Sequence, residues 1–179
     1  MLKRIAAMIL IAMMLMTAAM AESEWTAPAP GEAFSLERDM GLTIDGTWFP
    51  ILNYFDDLKA ALGDPNDVMA APSCAFKGDD KEFVYDGMSV YTNPLGDKDV
   101  WMEAYITSGS WTTTRGIGIG ASREEVLAAY GDGFFSNGDD LMTYSVSGNP
   151  EDYASPSITF TLENDRVICI DIYYPTNTL

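Results

Sequence analysis

The feature that most constrains this chain is an internal repeat. Residues of the first half reappear in kind in the second at a constant offset of 68 positions. Ile51 answers to Ile119. Ala60-Ala61-Leu62-Gly63-Asp64 answers to Ala128-Ala129-Tyr130-Gly131-Asp132. Phe76 maps to Tyr144, Tyr85 to Tyr153, Ser89-Val90 to Ser157-Ile158 and Asp97-Lys98 to Asp165-Arg166. Glu103 maps to Asp171 and Tyr105 to Tyr173. One gapless offset from a helix to a last strand predicts a duplicated unit.

Each unit opens on a short helix. Ser122-Arg123-Glu124-Glu125 has the form of a capping box, with Val126, Ala129 and Tyr130 as the apolar face and Gly131 as the stop. The first unit offers Asn53 as N-cap, Asp56 at N3, the face Phe55, Leu58, Ala61 and Leu62, and Gly63 as the stop. Strands follow. Val100, Met102, Ala104 and Ile106 alternate with Trp101, Glu103, Tyr105 and Thr107, and Ile168, Ile170 and Ile172 alternate with Cys169, Asp171 and Tyr173. Ile158, Phe160 and Leu162 line one face of a third strand. Asp45-Gly46 and Glu163-Asn164-Asp165-Arg166 read as hairpin turns. The expected fold class is α+β: two tandem repeats over 42–107 and 110–174, each a short helix packed on an antiparallel sheet of about three to four strands.

The stretch from Gly118 to Gly131, GIGASREEVLAAYG, carries a family resemblance. It resembles the outer-membrane assembly lipoproteins of the SmpA/OmlA type. A tandem pair of such units is similar to the secreted β-lactamase inhibitory protein family. Thr112-Thr113-Thr114-Arg115-Gly116-Ile117 resembles uncharacterised secreted proteins of Gram-positive bacteria. The resemblance implies a shared helix-plus-sheet layout and the general role of a binding protein. It does not extend to an inhibitor's contact loops. Pro50-Ile51-Leu52-Asn53 in the first unit lacks the glycines of the second.

Residues 1–21 read as a secretory signal peptide: Lys3 and Arg4, an apolar run from Ile5 to Met16, and Ala19-Met20-Ala21 before the cut. Residues 22–41 read as a flexible leader. The expected location is secreted, with association with the cell envelope also open, and without membrane insertion after cleavage. The chain carries 27 acidic and 10 basic residues, a net charge of −17, which argues against nucleic acid. There is no His, so no Ser-His or Cys-His dyad forms within the chain. Cys74 and Cys169 allow one disulfide or two free thiols. Asp64 to Asp67, Gly78 to Glu82 and Gly138 to Asp140 read as acidic turns without EF-hand spacing. The glycines from Gly116 to Gly120 lack the Lys-Ser/Thr of a phosphate loop. No cofactor and no metal are expected.

The candidate site is an open sheet face carrying Tyr91, Trp101, Glu103, Tyr105, Asp171 and Tyr173. Tyr and Trp give contact area at small entropic cost, and the acids orient a basic partner. The first reading is a non-enzymatic module that binds a protein or an envelope polymer. The alternatives are an envelope glycan hydrolase using Glu103 and Asp171, and a structural envelope component. On the first reading, Trp101→Ala leaves folding nearly intact.

Overall fold

The computed structural model describes residues 25–136 and 138–176. The signal peptide read at 1–21 lies outside the described residues. Two antiparallel sheets and three short helices follow one another along the chain. They run α1 (Leu36–Asp39), β1 (Gly41–Ile44), β2 (Thr47–Pro50), α2 (Phe55–Leu62), β3 (Asp67–Pro72), β4 (Asp79–Tyr85), β5 (Met88–Leu95) and β6 (Lys98–Ile106). Then come α3 (Arg123–Tyr130), β7 (Leu141–Ser145), β8 (Ser157–Glu163) and β9 (Arg166–Tyr173). β1 and β2 pair alone, and the other strands form one sheet in the order β3-β4-β5-β6-β9-β8-β7.

This corrects the expected α+β pair of helix-plus-sheet repeats. The protein is mostly β: nine strands in two sheets, one of them seven-stranded, with only three short helices among the described residues. The physical cause is the junction. β6 pairs with β9, which leaves neither with an open edge and joins the two halves in one ladder. The offset survives in α2 and α3, in β5 and β8, and in β6 and β9. It fails elsewhere. Asp79–Tyr85 is a strand, whereas its offset partner 147–153 is loop and turn. The acidic turn read at Gly78 to Glu82 is therefore mostly the start of β4.

Local chemistry sets the shorter pieces. The Asn164-Asp165 turn joins Glu163 to Arg166 with both central residues at positive φ, 50° and 59°, as a tight hairpin requires. Ser122 and Glu125 form the reciprocal capping box of α3. Asn53 does not cap α2. Tyr54 stands at that N-cap, without a side-chain cap.

Helices α2 and α3 dock on one face of the large sheet. Phe55 of α2 meets Phe83 with ring centroids 4.3 Å apart, and Tyr130 of α3 meets Tyr144 at 5.0 Å and Phe160 at 5.3 Å. Residues 25–41, read above as a leader, join this packing. Phe34 lies against Tyr130 and Tyr144, and Trp25 stacks on Trp48 at 5.2 Å.

Arg115 ties that segment down. Its Nε donates to Asp39 Oδ1 at 2.6 Å and its Nη2 to Asp39 Oδ2 at 3.0 Å. Its Nη1 donates to the carbonyls of Glu32 (2.8 Å) and Ala129 (2.9 Å), the latter in the last turn of α3. The guanidinium lies 4.8 Å from the Tyr130 ring centroid. Both side chains of the pair are almost wholly buried.

Candidate functional site

The face of the large sheet opposite α2 and α3 is set by strand register. Cross-strand pairing runs Met69–Glu82, Glu82–Tyr91, Tyr91–Glu103, Glu103–Tyr173, Tyr173–Ser157 and Ser157–Ser145. One row thus crosses all seven strands, with Glu82, Tyr91, Glu103 and Tyr173 alternating along its middle. The next row carries Ser89, Tyr105, Asp171, Thr159 and Thr143. Tyr105 and Asp171 are direct cross-strand partners, and Glu103 and Asp171 are diagonal neighbours.

Five of the six expected residues come together here: Tyr91, Glu103, Tyr105, Asp171 and Tyr173. Trp101 does not, and its expected place is corrected. A register shift between Tyr91 and Thr92 leaves Met102 as an extra residue in β6, so Trp101 pairs with Thr92 and turns to the helix side. It is fully buried. A second shift, between Thr161 and Leu162, leaves Ile168 extra in β9. The two bulges do not fall at offset-related positions. Trp101 and its offset partner Cys169 therefore point to opposite faces. Cys169 joins the Tyr105 side, where its thiol meets the Tyr105 hydroxyl.

The allowed disulfide does not form; both cysteines are free. Cys74 follows the outermost strand, β3, and Cys169 sits in β9, four strand spacings away. That is roughly 20 Å of sheet, against a Cα limit near ~7 Å for a bridge.

Two hollows open on this face. One, of about 310 Å³, is lined by Met69, Ala71, Asp80, Glu82, Tyr91, Met102 and Glu103, among others. The other, of about 260 Å³, is lined by Thr143, Asp152, Tyr153, Ser157, Asp171 and Tyr173, among others. Glu82, Met69 and Tyr153 were missed in the sequence. Tyr153 is 83% exposed, on the loop between β7 and β8. The Asp86-Gly87 turn between β4 and β5 was the available signal for Glu82. Pairing outward from it sets Glu82 opposite Tyr91.

The acids share a poorly solvated environment. Burial raises Glu103 to about 7, helped by the charges of Asp171 and Glu82. Burial raises Asp171 to about 6, and its Oδ1 is buried without a hydrogen-bond partner. The Tyr91 hydroxyl donates to Glu82 Oε1 at 3.0 Å, and burial followed by that bond pushes Tyr91 up to about 12. Burial also raises Tyr173, with Glu103 and Asp171 adding to it.

A pH dependence follows. Both acids hold their protons to higher pH in the folded chain than in the unfolded one, so ionising them opposes folding. The stability due to the protonated acids is complete below about pH 4 and is lost as pH rises through about 6 and about 7. Glu103→Gln is expected to flatten this decline and to be more stable than wild type at about pH 8, read by urea melts across the range. An unchanged slope would contradict the placement of Glu103 in a desolvated acidic row.

No group of three or more His, Cys, Asp or Glu side chains able to hold a metal occurs among the described residues. No helix among them is long and apolar enough to cross a membrane. Comparison with known proteins finds no matching family model, no matching curated protein and no matching solved structure.

Proposed function

We propose that the protein is a secreted, non-enzymatic binding module that engages a partner protein through the outer face of its seven-stranded sheet. The observation that carries this reading is the row Glu82–Tyr91–Glu103–Tyr173, with Tyr105 and Asp171 beside it, over which no described helix lies. Sheet hydrogen bonds hold the row rigid before any partner arrives, which lowers the cost of ordering on binding. The tyrosines supply contact area with few rotors to freeze. The net charge of −17 of the whole chain steers a basic partner toward the face, and the carboxyl groups of the row orient it by hydrogen bonds.

The alternative reading, a glycan hydrolase, would use Glu103 and Asp171, diagonal neighbours on the same face. Turnover of cell-wall polysaccharide that Glu103→Gln abolishes would favour it over binding. A structural envelope component would show no small patch whose substitution matters.

The test uses the purified protein, immobilised and exposed to the producer's secreted and envelope fractions, with Tyr105→Ala/Tyr173→Ala beside it. Tyr105 is 41% exposed, so the variant is expected to fold. Capture of the partner is expected to fall at least about tenfold. Equal capture by the folded variant would remove the face from the binding site.

A further inference from the structure

The two edges of the large sheet are treated differently. β7 is shielded by Phe135, whose N–H donates to the Thr143 carbonyl (3.0 Å) and whose carbonyl accepts from the Thr143 N–H (2.9 Å). β3, at the other end, pairs with β4 alone among the described strands. All six of its residues are exposed, Val68 at 46% and Met69 at 50%.

Exposed edges are usually blunted by lysines, by prolines, by bulges or by a covering element. β3 has no Lys or Arg, no register shift against β4, and proline only at its last position. Its ends are nevertheless held in place. Just before it, the Asn66 N–H donates to the Val84 carbonyl at 2.7 Å, and just after it, the Ser73 N–H donates to the Gly78 carbonyl at 2.9 Å. In an antiparallel ladder every second residue of an edge strand turns its backbone groups away from its only neighbour. β3 is thus a fixed template whose outer side is open in part: the Val68 N–H is already taken by Asp67 Oδ1 at 2.8 Å and Pro72 carries no N–H, which leaves the Ala70 backbone and the neighbouring carbonyls to pair with an added strand.

We infer that β3 accepts an extended strand of a partner protein as an eighth strand of the sheet, one whose residues alternate basic and apolar. The inference rests on the binding-module reading and adds the mode of docking and the chemistry of the partner. Charge selects the occupant. Asp67 opens β3, and β4 beside it carries Asp79, Asp80 and Glu82. Of the nearby cations, Lys81 is engaged by Asp99 at 2.7 Å, and Lys77 lies in the loop beyond the strand end.

An added strand lies two strand spacings, about 10 Å, from β4. A Lys or Arg side chain crossing Met69 or Ala71 is directed into the hollow that holds Asp80 and Glu82. Residues on its other face cover Val68. A second copy of the chain is disfavoured as occupant, because a net charge of −17 opposes self-association.

The test uses the whole protein and a blocked seven-residue peptide alternating lysine and valine. An alternating glutamate–valine peptide of the same length serves as control. The lysine peptide is expected to bind, to slow amide hydrogen exchange within 67–72, and to lose at least about tenfold in affinity against Val68→Lys/Ala70→Lys. Both substituted residues are exposed, so that variant keeps its fold. Equal binding to the variant, or binding without protection of 67–72, would overturn the inference as non-specific attraction to an acidic chain. Absence of binding would overturn it as well. So would a dimer seen in sedimentation that the variant dissolves, which would give the edge to a second copy. The two proposals fail separately. Tyr105→Ala/Tyr173→Ala leaves the peptide at β3 untouched, and the β3 variant leaves capture on the tyrosine face intact if only the edge inference is wrong.

Discussion

Arg115→Met is expected to destabilise the fold by about 3–5 kcal/mol, read by urea or thermal denaturation. The substitution leaves the Asp39 carboxylate fully buried without its cation. It also removes three carbonyl contacts, to Glu32, Ala33 and Ala129, and the stacking on Tyr130. Arg115→Lys is not expected to rescue, because an ammonium cannot present the paired donors that meet both Asp39 oxygens. Asp39→Leu/Arg115→Met is expected to recover part of the loss, since no charge is then stranded. A single-variant cost under about 1 kcal/mol would mean that the pair behaves as a solvated surface bridge, against the burial described.

Trp101→Ala is expected to cost about 3–5 kcal/mol, in the range of large aromatic truncations in cores. Trp101 is fully buried, and its backbone is held on both sides: Leu52 N–H donates to its carbonyl at 3.0 Å and its N–H donates to the Asn53 carbonyl at 3.3 Å. Its indole Nε1 has no hydrogen-bond partner. Trp101→Phe is therefore expected to cost clearly less than Ala, because it keeps most of the volume and strands no polar group. A folded Trp101→Ala protein of wild-type stability would return Trp101 to the outer face of the sheet.

These two residues mark how far the sequence could be read. Arg115 was visible only as part of a short motif. Nothing local announced that its guanidinium would pair with Asp39, 76 positions away. Trp101 obeyed the alternation on paper and violated it in the fold. The tyrosines and acids of the outer face were legible because they lie where the bulges leave the alternation undisturbed. Glu82 was not, because Gly78 to Glu82 has the composition of a turn and its strand character comes from pairing with Met69 and Tyr91. The disulfide was open on counting alone, and the four strand spacings between β3 and β9 closed it.

The sequence by itself determined what depends on near neighbours: the α3 capping box, the glycine stops, the tight turns at Asp45-Gly46 and Asn164-Asp165, and the two-residue period of the strands. Each follows from backbone sterics or hydrogen bonds within a few residues. The tertiary structure alone decided that β6 would pair with β9 and merge two expected sheets into one. It also decided that one extra residue in β6 would send Trp101 into the core. Both outcomes turn on distant chain segments competing for the same backbone groups and the same buried volume. A shift of one residue exchanges the two faces of a strand while leaving its local preferences unchanged.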